Sequence, residues 1–344
     1  MFRILSIDGG GIRGIIPACV LAEVERAIQS LEPSRKIGDA FDMIAGTSTG
    51  GILACILLAP DPADARRARF SAADALQLYL ENGETIFRHS LWRSVRDVGG
   101  LFDERYPPGG LEAVLARYFG DLELSRLVKP CLITAFDTQH YRPFFFTQAD
   151  AVRSPANDYL VRDVARSTSA APTYFPPALA GSLGSAPEPA PMVDGGVFAN
   201  NPAACALVEA FKIDGGPSVA EDVAILSLGT GRQPASIPYE RCRDWGAAQW
   251  AKPVIDLMLE GVAQTVDYQL AMLFQSMRRD AQYLRIDGVF GDAGAGLDVP
   301  DLNPAMDDAA PDNMARLQLF GERLAQSRAG DVRDFARKFL VDAG

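Results

Sequence analysis

The sequence predicts an α/β fold with a mainly parallel central sheet covered by helices on both faces. Short apolar runs alternate along the chain with segments of helical period, the arrangement in which helices serve as crossovers between parallel strands. Two of these runs end in glycine turns that lead straight into a helix, at residues 8–14 and 46–50. With 344 residues, 48% of them hydrophobic, the chain can bury a large core.

The elements follow in order. Residues 2–7 form a buried-strand run. Residues 15–28 have helical spacing, with Ile16, Val20, Leu21, Val24 and Ile28 on one stripe. Pro17 falls in the first turn of that helix, where its missing N–H costs little. Residues 41–45 read as a second short strand, 51–58 as an apolar helix and 72–81 as an amphipathic helix. The stretch 88–110 is irregular, punctuated by Gly99-Gly100 and Pro107-Pro108. Residues 111–118 are helical, 130–136 a strand and 161–167 a short helix. Residues 181–191, rich in Gly, Ser, Ala and Pro, read as a soft linker, too short to separate domains. A helix is expected over 203–211, a strand over 223–228 and a long helix over 253–277. An edge strand over 283–286 and a closing helix over 314–325 complete the set. No internal repeat is visible. The expectation is one domain over 1–344, with its core in about 1–290 and a helical closing segment in about 291–344.

Composition narrows the function. A net charge of −11 and a pI near 4.8 argue against a nucleic-acid partner and against adsorption to anionic lipid. Met1 leads straight into a strand, with no apolar run and small-residue cleavage site, so no signal peptide is expected. The most apolar stretch, residues 51–59, is far below the roughly 20 residues of a membrane span. Cys19, Cys55, Cys131, Cys205 and Cys242 are odd in number, widely spaced and free of any Cys-x-x-Cys, which indicates neither zinc nor a disulfide framework. A reducing cytoplasm, with at most peripheral membrane contact, is the expected setting.

The chemistry centres on Ser48, in Gly46-Thr47-Ser48-Thr49-Gly50. The flanking glycines let the backbone take a sharp strand-to-helix elbow, and the helix that follows favours developing negative charge. Such a pentapeptide also arises by chance; here the strand, elbow and helix surround it. A base must activate the hydroxyl. The two histidines, His89 and His140, both read as surface or polar-contact residues, and none follows Asp194, so the order Ser, acid, His does not occur. A carboxylate remains. A free aspartate, with a pKa near 3.9, is a poor base, but burial raises that value. Asp194, in a glycine-rich turn after an apolar stretch, is the best placed, though it also reads as an ordinary turn residue.

Gly9, Gly10 and Gly11 offer clustered backbone N–H groups for an oxyanion, or simply a tight helix entry. With Gly14 they also match the dinucleotide fingerprint, which wants an acidic residue roughly 20 positions on. The second strand runs instead into Gly46-Thr47-Ser48, which favours the oxyanion reading. Arg13 either steadies the loop or faces an anionic head group. Residues 86–93, mixing Phe87 and Trp92 with Arg88 and Arg93, read as an interfacial lip or as buried aromatics with arginines outside.

Taken together, Asp8-Gly9-Gly10-Gly11-Ile12-Arg13-Gly14, the Ser48 block and Asp194-Gly195-Gly196 resemble the three signature blocks of patatin-like phospholipases. Phe119-Gly120-Asp121, residues 167–177, Asn200-Asn201-Pro202, residues 226–231 and Val266-Asp267-Tyr268 extend the similarity over nearly the whole chain. The resemblance implies a three-layer α/β/α patatin-like fold and a serine lipid acyl hydrolase of phospholipase A or lysophospholipase type. In it Ser48 is the nucleophile, Asp194 the base, and Gly9, Gly10 and Gly11 the oxyanion hole, helped by the Thr49 N–H. It implies no metal and no cofactor, and a membrane or micellar glycerolipid as substrate. Two alternatives stay open. One is a patatin-fold effector inactive until an activating partner or cyclic nucleotide binds; the other is a nucleotide-binding regulatory protein using the glycine loop. Oligomeric state is not legible in the sequence.

Overall fold

The computed structural model describes residues 1–87, 106–233 and 237–341. Among these residues one sheet has eight strands: β1 (Phe2–Ile7), β2 (Met43–Gly46), β3 (Cys131–Asp137), β4 (Arg142–Thr147), β5 (Ala178–Ala180), β6 (Ala190–Asp194), β7 (Val223–Leu228) and β8 (Tyr283–Ile286). Five of them, in the order β3-β2-β1-β7-β8, run parallel; β4, β5 and β6 join antiparallel at the β3 end.

The eight helices that matter below are α1 (Ile15–Gln29), α2 (Thr49–Leu58), α3 (Ala72–Ile86), α4 (Gly109–Phe119), α5 (Val161–Thr168), α6 (Ala203–Ala210), α7 (Ala247–Ser276) and α8 (Pro311–Ser327). Side chains of a strand alternate between faces, and here both faces are apolar. Leu5, Ile7, Ile44, Ile133, Leu226 and Leu228 enter the larger core, shared with α1 to α5 and α8. Ile4, Met43, Ala45, Leu132, Val223 and Ile225 enter a second core with α6 and the end of α7, where Leu270 and Phe274 are buried. Helices therefore cover the sheet on both sides, giving the three layers expected.

α2 is apolar all round and buried along its whole length, as a helix held between a sheet and other helices must be. α8 lies against α1, where a Cβ at Gly321 would come within 2.9 Å of the Cys19 Cβ. Among the described residues no helix is long and apolar enough to cross a membrane.

The three antiparallel strands are absent from the sequence reading. Residues 190 and 191, assigned there to a linker, belong to β6, and the exposed stretch that remains connects β5 to β6 as a hairpin. Tyr283 to Ile286 does form an edge strand. Most of the expected lip at 86–93, with His89 and Trp92, lies outside the described residues. Phe87 is described, and packs against Tyr106 (5.5 Å between centroids) and Phe175 (6.0 Å).

The register of the sheet positions the chemistry. β4 occupies one edge of β3 from Leu132 to Asp137. The other edge is shared: β2 pairs with it only up to Ile133, and β6 takes over from Ala135, which pairs with Asp194. The end of β6 thus lands just beyond the end of β2, beside the elbow carrying Ser48.

Candidate active site

Ser48 occupies the turn between β2 and α2 with φ at +54° and ψ at −124°, a sparsely populated conformation that costs a non-glycine residue roughly 1–3 kcal/mol. Its neighbours explain how the turn closes. A Cβ at Gly46 would strike the Gly50 carbonyl, and one at Gly50 would strike the Ile7 carbonyl. The Ser48 N–H donates to Thr168 Oγ1 at the end of α5 (2.9 Å). The preceding Thr47 hydroxyl donates to the Ala199 carbonyl (2.6 Å) and lies 2.7 Å from Thr134 Oγ1 on β3, which is left to donate to it. A buried chain of hydroxyls therefore ties the elbow to β3 and to the segment following Asp194.

Asp194 ends β6, its N–H donating to the Ala170 carbonyl (3.0 Å) and its Oδ1 accepting the Gly196 N–H (2.7 Å). Burial pushes its pKa up from 3.8 to about 7, while the Ser48 side chain and the Gly196 N–H, both facing the carboxylate, favour the ionised form. Ser48 and Asp194 line a common cavity of about 130 Å³, whose walls are apolar and aromatic, among them Ile52, Phe87, Leu111, Phe175, Ile255 and Met258.

Not all three loop glycines reach that cavity. The Gly9 N–H donates to the Asn200 carbonyl (3.0 Å) and the Gly9 carbonyl accepts from Thr230 Oγ1 (2.9 Å). Its N–H is therefore already committed and cannot serve an oxyanion, a correction to the expected trio. Gly9 acts as a spacer, since a Cβ there would sit 3.2 Å from the Ser48 Cβ. Gly10 and Gly11 do line the cavity. Gly11 has φ at +59°, with the Met306 carbonyl against it; that carbonyl accepts the Ile12 N–H (2.9 Å). Thr49 opens α2 at the cavity wall, its hydroxyl 2.5 Å from the Tyr79 hydroxyl.

Two residues of the glycine motif are turned away. Asp8 pairs bidentately with Arg285 (2.6 and 2.9 Å), whose guanidinium also donates to Ser227 Oγ (2.9 Å), so the pair ties β1 to β8 across β7. Arg13 is buried and donates from Nη1 to the Gly231 carbonyl (3.3 Å), steadying the loop after β7; it does not line the Ser48 cavity. His140 is held by Asp137 at the β3–β4 turn (2.7 Å) and does not line this cavity. Among the described residues no group of three His, Cys, Asp or Glu side chains is arranged to hold a metal.

The structure places Ser48 and Asp194, the pair the sequence singled out, on one cavity, and supports them with residues the sequence did not mark. Thr168 lies 120 residues from Ser48, and nothing local marks Thr47 or Met306 as a partner of the site.

The family model "Patatin-like phospholipase" matches residues 5–207. The chain is 34% identical to Patatin-like protein 1 of Oryza sativa subsp. indica, over 96% of this chain and 82% of that one. It is 35% identical to Patatin-like protein 2 of Arabidopsis thaliana, over 87% and 79%. With Patatin-07 of Solanum tuberosum the identity is 32%, over 94% and 83%.

Proposed function

The chain belongs to the patatin-like phospholipase family, a family of lipid acyl hydrolases, and on that premise we propose that it cleaves fatty-acyl esters of glycerolipids through a Ser48–Asp194 dyad and an acyl-enzyme. The observation that carries the reading is the pairing itself. A serine on a positive-φ elbow faces a buried carboxylate whose pKa is lifted to about 7, in an apolar cavity suited to an acyl chain.

In the proposed reaction Ser48 Oγ attacks the ester carbonyl carbon while Asp194 accepts the hydroxyl proton. The N–H groups of Gly10 and Gly11, with that of Thr49, hold the developing oxyanion, each such donor being worth about 10²–10³ in rate. Collapse breaks the acyl–oxygen bond, and the departing alcohol takes the proton from Asp194. Water then attacks the acyl-enzyme, giving its proton to Asp194, and Ser48 recovers a proton as the fatty acid leaves. The reaction needs no metal. The substrate is expected in a membrane or micelle, met by the protein at the surface.

The test is fatty-acid release from phospholipid, lysophospholipid, galactolipid and p-nitrophenyl acyl esters by wild type, Ser48→Ala and Asp194→Asn. Release by wild type alone, with either variant reduced by about 10²–10⁴, is expected. Near-wild-type turnover by a folded Asp194→Asn variant would overturn the dyad. No release by folded wild type would favour a form awaiting an activator.

A further inference from the structure

Helix α7 carries two apolar stripes where folding needs one. With about 3.6 residues per turn, Ala263, Leu270 and Phe274 share one side of it, and all three are buried. On the opposite side Val254, Leu257, Met258, Tyr268 and Met272 follow the same spacing and are 41–68% exposed. Gly261 and Thr265, also exposed, complete this outer crest, which therefore holds no charge.

The charges of the helix are set to one flank. Between Pro253 and Met277 the charged residues are Asp256, Glu260 and Asp267, with no Lys or Arg. All three are half-buried and line a second cavity, on the side of α7 away from Ser48. There Asp267 accepts from the Tyr283 hydroxyl (2.9 Å) and Glu260 from the Gln264 amide (2.7 Å). On the other flank Ile255 and Met258 line the Ser48 cavity. Met258 belongs to crest and wall alike, being half-exposed, so apolar surface runs from the outside of the helix through Met258 into the cavity. In a chain of net charge −11, an uncharged exposed stripe that leads into a cavity marks a contact surface.

We propose that the crest of α7 docks the protein on the surface of a neutral or zwitterionic lipid assembly, with Val254 and Leu257 against the lipid and the Ser48 cavity opening beside them. Two features choose this occupant. A second copy seated on the crest would cover Met258 and obstruct the cavity, whereas a lipid surface in the same place presents acyl esters to it. The crest also lacks any cation to attract anionic lipid, which the net charge repels. Docking is thus apolar and little affected by salt. The choice of lipid as occupant rests on the acyl-hydrolase reading; its measurement does not require turnover.

The test is flotation of the full chain carrying Ser48→Ala with vesicles of phosphatidylcholine and, separately, of phosphatidylcholine mixed with phosphatidylglycerol. Binding to phosphatidylcholine is expected, with little change between low and high salt and weaker binding to the mixed vesicles. Adding Val254→Gln and Leu257→Gln, both at exposed positions, is expected to weaken it about tenfold or more. With Ser48 restored, the same two substitutions are expected to leave kcat/KM on a dissolved short-chain p-nitrophenyl ester unchanged, since neither residue lines the Ser48 cavity, and to lower fatty-acid release from phosphatidylcholine vesicles. No binding to phosphatidylcholine, equal binding with and without the two substitutions, or binding that needs phosphatidylglycerol would overturn the docking face. So would a chain that is dimeric in solution and made monomeric by them, since a second copy would then fill the crest. Vesicle binding that the two substitutions abolish, with no ester hydrolysed by wild type, would uphold the docking face and remove the hydrolase reading.

Discussion

Asp194 is under opposed demands. As the proposed base it must be ionised to accept the Ser48 proton, yet burial disfavours the charged form and raises its pKa from 3.8 to about 7. Turnover of a soluble ester is therefore expected to rise with pH, with its half-point near 7. The same shift acts on stability, with the sign reversed. Between pH 4 and 7 the folded chain keeps a proton that the unfolded chain has lost, so this stabilisation is complete below about 4 and disappears as pH rises through 7. A shift of about three units corresponds to a loss of up to about 4 kcal/mol. Asp194→Asn, inactive as a base, is accordingly expected to gain stability over wild type as pH rises from 5 to 8, as read by urea unfolding at both values. An unchanging difference would mean that the carboxylate titrates normally. Ser48 and Asp194 were legible in the sequence because elbow and turn chemistry is written in contiguous glycines. The engagement of the Gly9 N–H was not, because the carbonyl that accepts it belongs to Asn200.

The elements decide where these residues meet. β1, β2, β3 and β7 were readable as apolar runs, being buried on both faces. β4 and β6 were not. β4 has Pro143 followed by three consecutive phenylalanines in place of alternation, and β6 contains Pro191, whose missing N–H reads as a breaker. Only pairing with β3 makes them strands, and the Pro191 carbonyl still accepts the Thr138 N–H (3.0 Å). Yet it is β6, taking the edge of β3 that β2 leaves, that delivers Asp194 to Ser48. If that junction sets the geometry, Thr47 is its stitch. Thr47→Val keeps the shape but removes the donor to Ala199 and the acceptor for Thr134, leaving buried groups unsatisfied at about 1–3 kcal/mol. The expected kinetics are a lower kcat at unchanged KM, with Thr47→Ser restoring both rate and stability. A Thr47→Val variant with wild-type kcat would show that the elbow holds its place without the hydroxyl.

At the scale of the molecule, the match to the family model ends at residue 207, but the cavity does not. Ile255, Met258 and Leu259 of α7 and Met306 complete its wall, and the Met306 carbonyl holds the Ile12 N–H beside Gly11. α8 buries Leu317, Phe320 and Leu324 in the same core as α1, the helix that leaves the glycine loop. The sequence announced a closing helix there through its period, and it spans Pro311–Ser327. Its contact with α1 was hidden, because helix-on-helix packing depends on which faces meet, at Cys19 and Gly321 here. Burying three such side chains is worth about 1.5–3 kcal/mol each, comparable in sum with the whole stability of many domains. A chain ending at residue 290 is therefore expected to lose cooperative unfolding, since it also uncovers Ile16 and Cys19. Phe320→Ala, a smaller perturbation, is expected to cost about 3–5 kcal/mol in urea unfolding and to leave the KM of the folded fraction unchanged. If residues 1–290 unfolded at the wild-type midpoint and still released fatty acid, the last 54 residues would be an appendage, and the carbonyl of Met306 would have no role in holding the loop.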